Sequence, residues 1–163
     1  MAEVMTLFMR SGEPVAQRLL DELVAEIRRR YPVVAATPAG DGVGWASYEL
    51  SSDRDVVAEA RDRYPTAVAA GEQTSPIVLR VVTRPDAVKS AIDHGLDQGG
   101  PVDLTFCDTL AEVATSGYLL DWAIVRAIHR LTFDRWAAIL YTEQAGFDTR
   151  LPSRRHSGQR QQR

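Results

Sequence analysis

Cysteine is almost missing from this chain: Cys107 is the only one in 163 residues. A lone cysteine excludes an intrachain disulfide and any cysteine-based metal site. Histidine is nearly as scarce. His94, His129 and His156 are the only three, and no two of them stand one helical turn apart as a metal-ligand pair would. A Gly-Lys-Ser/Thr phosphate-binding signature does not occur. No apolar run reaches the roughly 20 residues that a membrane-spanning helix needs. The most apolar stretch, 117–127, is interrupted by Asp121 and Arg126. The first residues carry Glu3 and no long apolar core, so they read as mature chain rather than signal peptide. Cytoplasmic residence, no cofactor, no metal and no membrane partner are therefore the expectation.

Lysine is also missing, save Lys89, against eighteen arginines. Arginine codons are mostly G+C-rich and lysine codons A+T-rich, so the bias points to a G+C-rich, bacterial genome. Acidic and basic residues nearly balance, at a net charge of −3, and there is no strong global field to draw in nucleic acid. What the chain does contain is ordinary for a globular domain: 45% apolar and 25% charged residues.

The expected organisation is one α+β domain over residues 1–147 and a disordered basic tail over 148–163. The tail holds five arginines and, after Asp148, one apolar residue, Leu151, too little to offset the entropy of ordering. Within the domain, residues 4–9 read as a strand. Ser11 and Pro14 then open a helix that runs to Arg30, with Val15, Leu19, Leu20, Leu23, Val24 and Ile27 as its buried stripe. Strands are expected at 33–37 and 43–50, joined by a turn at 38–42, and a second helix at 53–63.

Residues 24–32 and 57–65 agree at seven of nine positions with a constant offset of 33. Two such copies suit a pseudo-symmetric, ferredoxin-like βαββαβ unit. The segment 77–83 reads as a strand, Pro85 opens a helix ending near Gly95 or Gly99, and 102–107 reads as another strand. Together these suggest an added parallel β-α-β crossover. A long apolar helical region is expected from Asp108 or Thr109 to Leu131, continuing through 133–142 as a last helix or, as the second reading, a strand.

Chemistry-bearing candidates fall into two groups. Arg80, His94, Cys107 and Asp108 lie near the ends of the segments 77–83 and 102–107, where ligand sites of α/β sheets gather. A neighbouring aspartate raises a thiol pKa, so Cys107 reads as a small buried residue before a nucleophile. Trp122, Arg126 and Arg130 recur every four residues, with His129 beside them, as an anion-binding or interface surface. A solvated helix face with an Arg130–Asp134 pair is the simpler account of the second group. The glycines at 40–44 sit between two strands and read as a hairpin turn rather than a phosphate loop.

No catalytic set is complete. The first expectation is a non-catalytic binding or regulatory protein acting through protein contacts or self-association, because residues 113–141 carry more apolar surface than one helix buries. The alternative is a small enzyme or a binder of a small anionic ligand, with its pocket near the ends of 77–83 and 102–107. Nucleic-acid binding through the arginine-rich tail ranks third, behind an ordinary solvated terminus.

Overall fold

Residues 3–31, 34–51, 65–66, 75–115 and 122–148 are described by the computed structural model of the chain. Alternating sequence becomes strand at β1 (Glu3–Met9), β2 (Ala35–Gly42), β3 (Trp45–Ser51), β4 (Ile77–Val82), β5 (Thr109–Thr115), β6 (Ile139–Thr142) and β7 (Gly146–Asp148). They form one sheet in the order β2-β3-β4-β5-β1-β6-β7, every neighbouring pair antiparallel. Three helices accompany it among the described residues: α1 (Ala16–Arg30), α2 (Pro85–Asp97) and α3 (Trp122–Trp136). A 3-10 turn, Val102–Phe106, follows α2.

Period-two alternation sends side chains to two different cores. Met5, Leu7 and Met9 of β1, Leu79 and Val81 of β4, and Ala111 and Val113 of β5 point to one face. There they meet Leu19, Leu20, Leu23 and Ile27 of α1 and Ile124 and Ile128 of α3, and the two helices also touch each other. Among the described residues, the opposite face is covered only at one end. Phe8, Val82, Leu110 and Ile139 lie side by side across it, under Val88 and Ile92 of α2 and Leu104 of the 3-10 turn. The rest of that face is open. One row across it is Ser47, Arg80, Glu112, Thr6 and Tyr141, and the next is Glu49, Val78, Ala114 and Val4.

The α+β class, β1, α1, β4 and α2 stand as the sequence suggests. Val15 is the exception in the α1 stripe, being exposed, and Ser11 lies too early to cap the helix. Several expectations are corrected. The ferredoxin-like order would seat β1 beside β3 and β4, but β1 lies between β5 and β6. There is no parallel crossover at 77–107, because residues 102–106 form a 3-10 turn that buries only Leu104. The next strand starts at Thr109 instead and pairs antiparallel with β4.

Among the described residues there is no long apolar helix either. The described apolar residues of 113–141 are divided among β5, α3 and β6, and Val113, Ile124, Val125, Ile128 and Ile139 are buried within the one chain. Asp148, expected at the head of the tail, ends β7 opposite Leu140. The second helix at 53–63, nearly all of the second repeat copy and the rest of the tail lie outside the described residues.

The turn expected at 38–42 moves to Val43–Gly44, and Pro38 sits inside β2. Proline fits there because β2 is an edge strand with a register shift between Pro38 and Gly40. Gly44 takes φ +72, and its carbonyl accepts the N–H groups of Thr83 at 2.8 Å and Arg84 at 3.2 Å, fixing the entry to α2. A Cβ at this position would lie 2.7 Å from the Arg84 Cβ. Gly44→Ala is therefore expected to cost about 1–2 kcal/mol from the backbone conformation alone, and more from the clash. Urea denaturation measures it; an unchanged midpoint would contradict this account of the turn.

Candidate functional site

β1 and β4 run in the same direction on either side of β5, since each pairs antiparallel with it. From the C-terminal end of β1 the chain turns into α1 on one face. From the end of β4 it turns into α2 on the other. Chains that leave a sheet on opposite faces open a crevice beyond the strand ends, the arrangement on which α/β sheets build ligand sites. A cleft of about 540 Å³ lies there, a size typical of small-molecule sites.

The long wall of the cleft is α2, which contributes Val88, Ile92 and Leu96 at successive helical turns. Facing it is the β1–α1 loop with Gly12, Glu13 and Pro14, and the remaining sides hold Thr83, Thr105, Cys107 and Asp108. Asp108 ties the loop down. Its Oδ1 accepts the Ser11 N–H and its Oδ2 the Gly12 N–H, each at 2.9 Å, and Thr109 Oγ1 donates to Oδ1 at 2.8 Å. Ser11 Oγ and Thr109 Oγ1 are 2.5 Å apart. Thr83 Oγ1 donates to the Pro14 carbonyl at 2.9 Å, and Glu13 Oε1 accepts the Val15 N–H at 3.0 Å.

These bonds decide the electrostatics. Partial burial pushes the Asp108 carboxyl up, but the donors from Ser11, Thr109 and Gly12 outweigh it and hold the group below its ordinary value. Asp108 is an ionised anchor, not a proton donor at neutral pH. Cys107 is moved the other way. Burial raises its thiol to about 11, Arg10 opposes, and Asp108 and Asp103 add to the rise. A thiol so protonated is a poor nucleophile, and among the described residues no histidine lines the cleft to activate it. The loop N–H donors of Ser11, Gly12 and Val15, which could have bound an anion, are already bound by the chain's own carboxylates. Lys89 on the α2 wall is paired with Asp93. Among the described residues no group of three or more His, Cys, Asp or Glu side chains is placed to hold a metal ion.

Of the first candidate group, Cys107 and Asp108 line the cleft, whereas Arg80 and His94 do not. Arg80 stands on the open half of the sheet, 3.6 Å from Glu112 and 4.9 Å from the centre of the Trp45 ring. His94 is exposed on α2, and its C=O accepts the Gln98 N–H at the helix end. Of the second group, His129 is buried, whereas Trp122, Arg126 and Arg130 are half-buried at successive turns of α3, Trp122 packing against the larger core.

Glu13, Lys89 and the apolar residues of the α2 wall were not singled out in the sequence. Their only advance signal was the i, i+4 spacing of Val88, Ile92 and Leu96 and of Lys89 and Asp93. Comparison of the chain with protein-family models, curated proteins and solved structures finds no match.

His129 is 8% exposed, and its Nε2 has no hydrogen-bond partner among the described residues. Burial lowers its pKa, and the charge of Asp148 opposes this only in part. The folded state thus binds the proton less readily than the unfolded chain. Stability should be complete above the unfolded value of about 6.5 and fall below it, by at most about 1.4 kcal/mol per pH unit. The measurement is the difference in unfolding free energy between wild type and His129→Leu from pH 8 to pH 5. A difference that does not change with pH would refute the assignment.

Proposed function

We propose that the protein is a non-catalytic binding protein, and that its ligand is a small molecule whose largely apolar body fills the cleft between α2 and the β1–α1 loop. The observation that carries this is a cleft of about 540 Å³ walled by Val88, Ile92 and Leu96, in which the groups with catalytic potential are disarmed. The Cys107 thiol is held protonated and the Asp108 carboxylate is consumed by loop N–H groups. The anionic-ligand version of this function loses support for the same reason, since the loop donors an anion needs are spent. No described helix is long and apolar enough to cross a membrane. Cytoplasmic residence remains part of the proposal.

The direct test uses N-phenyl-1-naphthylamine, a neutral fluorophore that brightens in apolar surroundings. Saturable brightening with micromolar affinity is expected. Thr105→Trp, which places a bulky ring at an exposed position of the lining, should weaken binding at least about tenfold, or 1.4 kcal/mol, without lowering the melting temperature. No saturable signal, or the same affinity in the variant, would defeat the proposal.

Self-association is a second function, supported by the open half of the sheet, where Val4 is 53% and Val78 is 37% exposed on the two strands that flank β5. Light scattering after size exclusion decides it. A dimer that Val78→Lys converts to monomer supports protein contacts, and a wild-type monomer at about 100 μM, a concentration at which a contact of roughly 8 kcal/mol would be saturated, removes them.

A further inference from the structure

Building on the proposal that the cleft holds an apolar body, we infer that its ligand is a cation: an amphipathic amine or guanidine with an aliphatic or aromatic body. Among the described residues, the ionisable side chains that line the cleft are Glu13, Asp93, Asp108 and Lys89, three carboxylates against one ammonium. They come from different walls: Glu13 from the loop, Asp93 from α2 and Asp108 from the start of β5. A cation lodged among them is attracted from more than one side.

Lys89 and Asp93 pair with each other one turn apart on α2 and offset each other, so the carboxylates left over among the described lining residues are Glu13 and Asp108, on different walls. Neighbouring guanidinium groups are likewise engaged. Arg84 Nε lies 2.7 Å from Asp86 Oδ1, and Arg10 rests 4.9 Å from the centre of the Phe106 ring. An anion would need backbone donors, and those of Ser11, Gly12 and Val15 point at Asp108 and Glu13.

The apolar walls sharpen the selection. A charge lying against Val88, Ile92 and Leu96 is less screened than one in open water, so the carboxylates act on it at a lower effective dielectric constant. The same walls exclude a bare, strongly hydrated inorganic cation as the preferred guest. It would lose water without gaining a set of oxygen ligands, and the described residues hold no metal-binding cluster. An organic ammonium keeps its charged end at the carboxylates of the rim while its hydrocarbon covers the wall.

Three probes with one aromatic body separate charge from apolarity: 1-naphthylmethylamine, 1-naphthalenemethanol and 1-naphthoate. Each is titrated into the full chain at pH 7 by calorimetry, in 50 mM and in 500 mM salt. The amine should bind tightest and the carboxylate weakest, with about tenfold or more between them at low salt and a narrower gap at high salt. Glu13→Gln and Asp93→Asn should each narrow that gap, read relative to the neutral alcohol so that any loss of fold is cancelled. Equal affinities, or a carboxylate that binds best, would overturn the charge selection while leaving the cleft as an apolar site. Failure of all three probes to bind at millimolar concentration would overturn both.

Discussion

β1 is the constraint on which the molecule depends. It enters between β5 and β6, opposite residues that lie about a hundred positions later in the chain. Leu7 and Met9 belong to the core under α1 and α3, and Phe8 to the core under α2. Removing one strand would therefore open both cores at once. Such a pairing must overcome the entropy of closing a long loop before any contact rewards it, so assembly of the centre of the sheet is expected to be late and cooperative.

The same pairing builds the cleft. Beyond the last ladder residues, the Asp108 N–H bonds the Met9 carbonyl at 3.0 Å, and the Asp108 carboxylate then takes the Ser11 and Gly12 N–H groups. The β1–α1 loop is in effect the continuation of the β1–β5 ladder by a side chain. That is why a loop containing glycine with φ +67 can serve as a fixed wall. It also explains the electrostatic character of the site. The carboxylate that holds the loop consumes the donors an anion would use and leaves its own charge in the cleft.

The legibility of each element follows from how local its cause is. β1, β4, α1 and α2 are each set by a periodicity and a turn residue within the element, and these could be read directly. β5 could not, because it is buried on both faces. Leu110 and Val113 stand three apart, which imitates a helical stripe, although in the sheet they point to opposite cores. Pro38 read as a turn because nothing in the sequence says that its strand lies at an edge. The order of strands was hidden altogether, since the partners of β1 are chosen by distant residues. At the site, Arg80, His94, Cys107 and Asp108 were all chosen as lying near the ends of the expected strands 77–83 and 102–107; the second of these is a 3-10 turn, and only Cys107 and Asp108 line the cleft. Val88, Lys89, Ile92, Asp93 and Leu96 look like one ordinary amphipathic helix until the β1–α1 loop is set opposite them.

The cleft and the open half of the sheet have one origin in coverage. Seven strands at roughly 4.8 Å spacing span about 30 Å, whereas a helix with its side chains is about 10 Å wide. Among the described residues, α1 and α3 cover one face, whereas α2 and a short 3-10 turn cover only one end of the other. The chain treats the two uncovered regions differently. On the open half it places Thr6, Glu49, Arg80 and Glu112, side chains that tolerate water, with the Arg80–Glu112 pair contributing little to stability at such exposure. The cleft wall is apolar instead: Val88 and Ile92 are buried in the core under α2, and Leu96 packs half-buried against it. A bound apolar body would add to that burial chiefly at Leu96. The open half thus mixes charged side chains with the exposed Val4 and Val78, whereas the wall of the cleft is apolar at successive turns of α2.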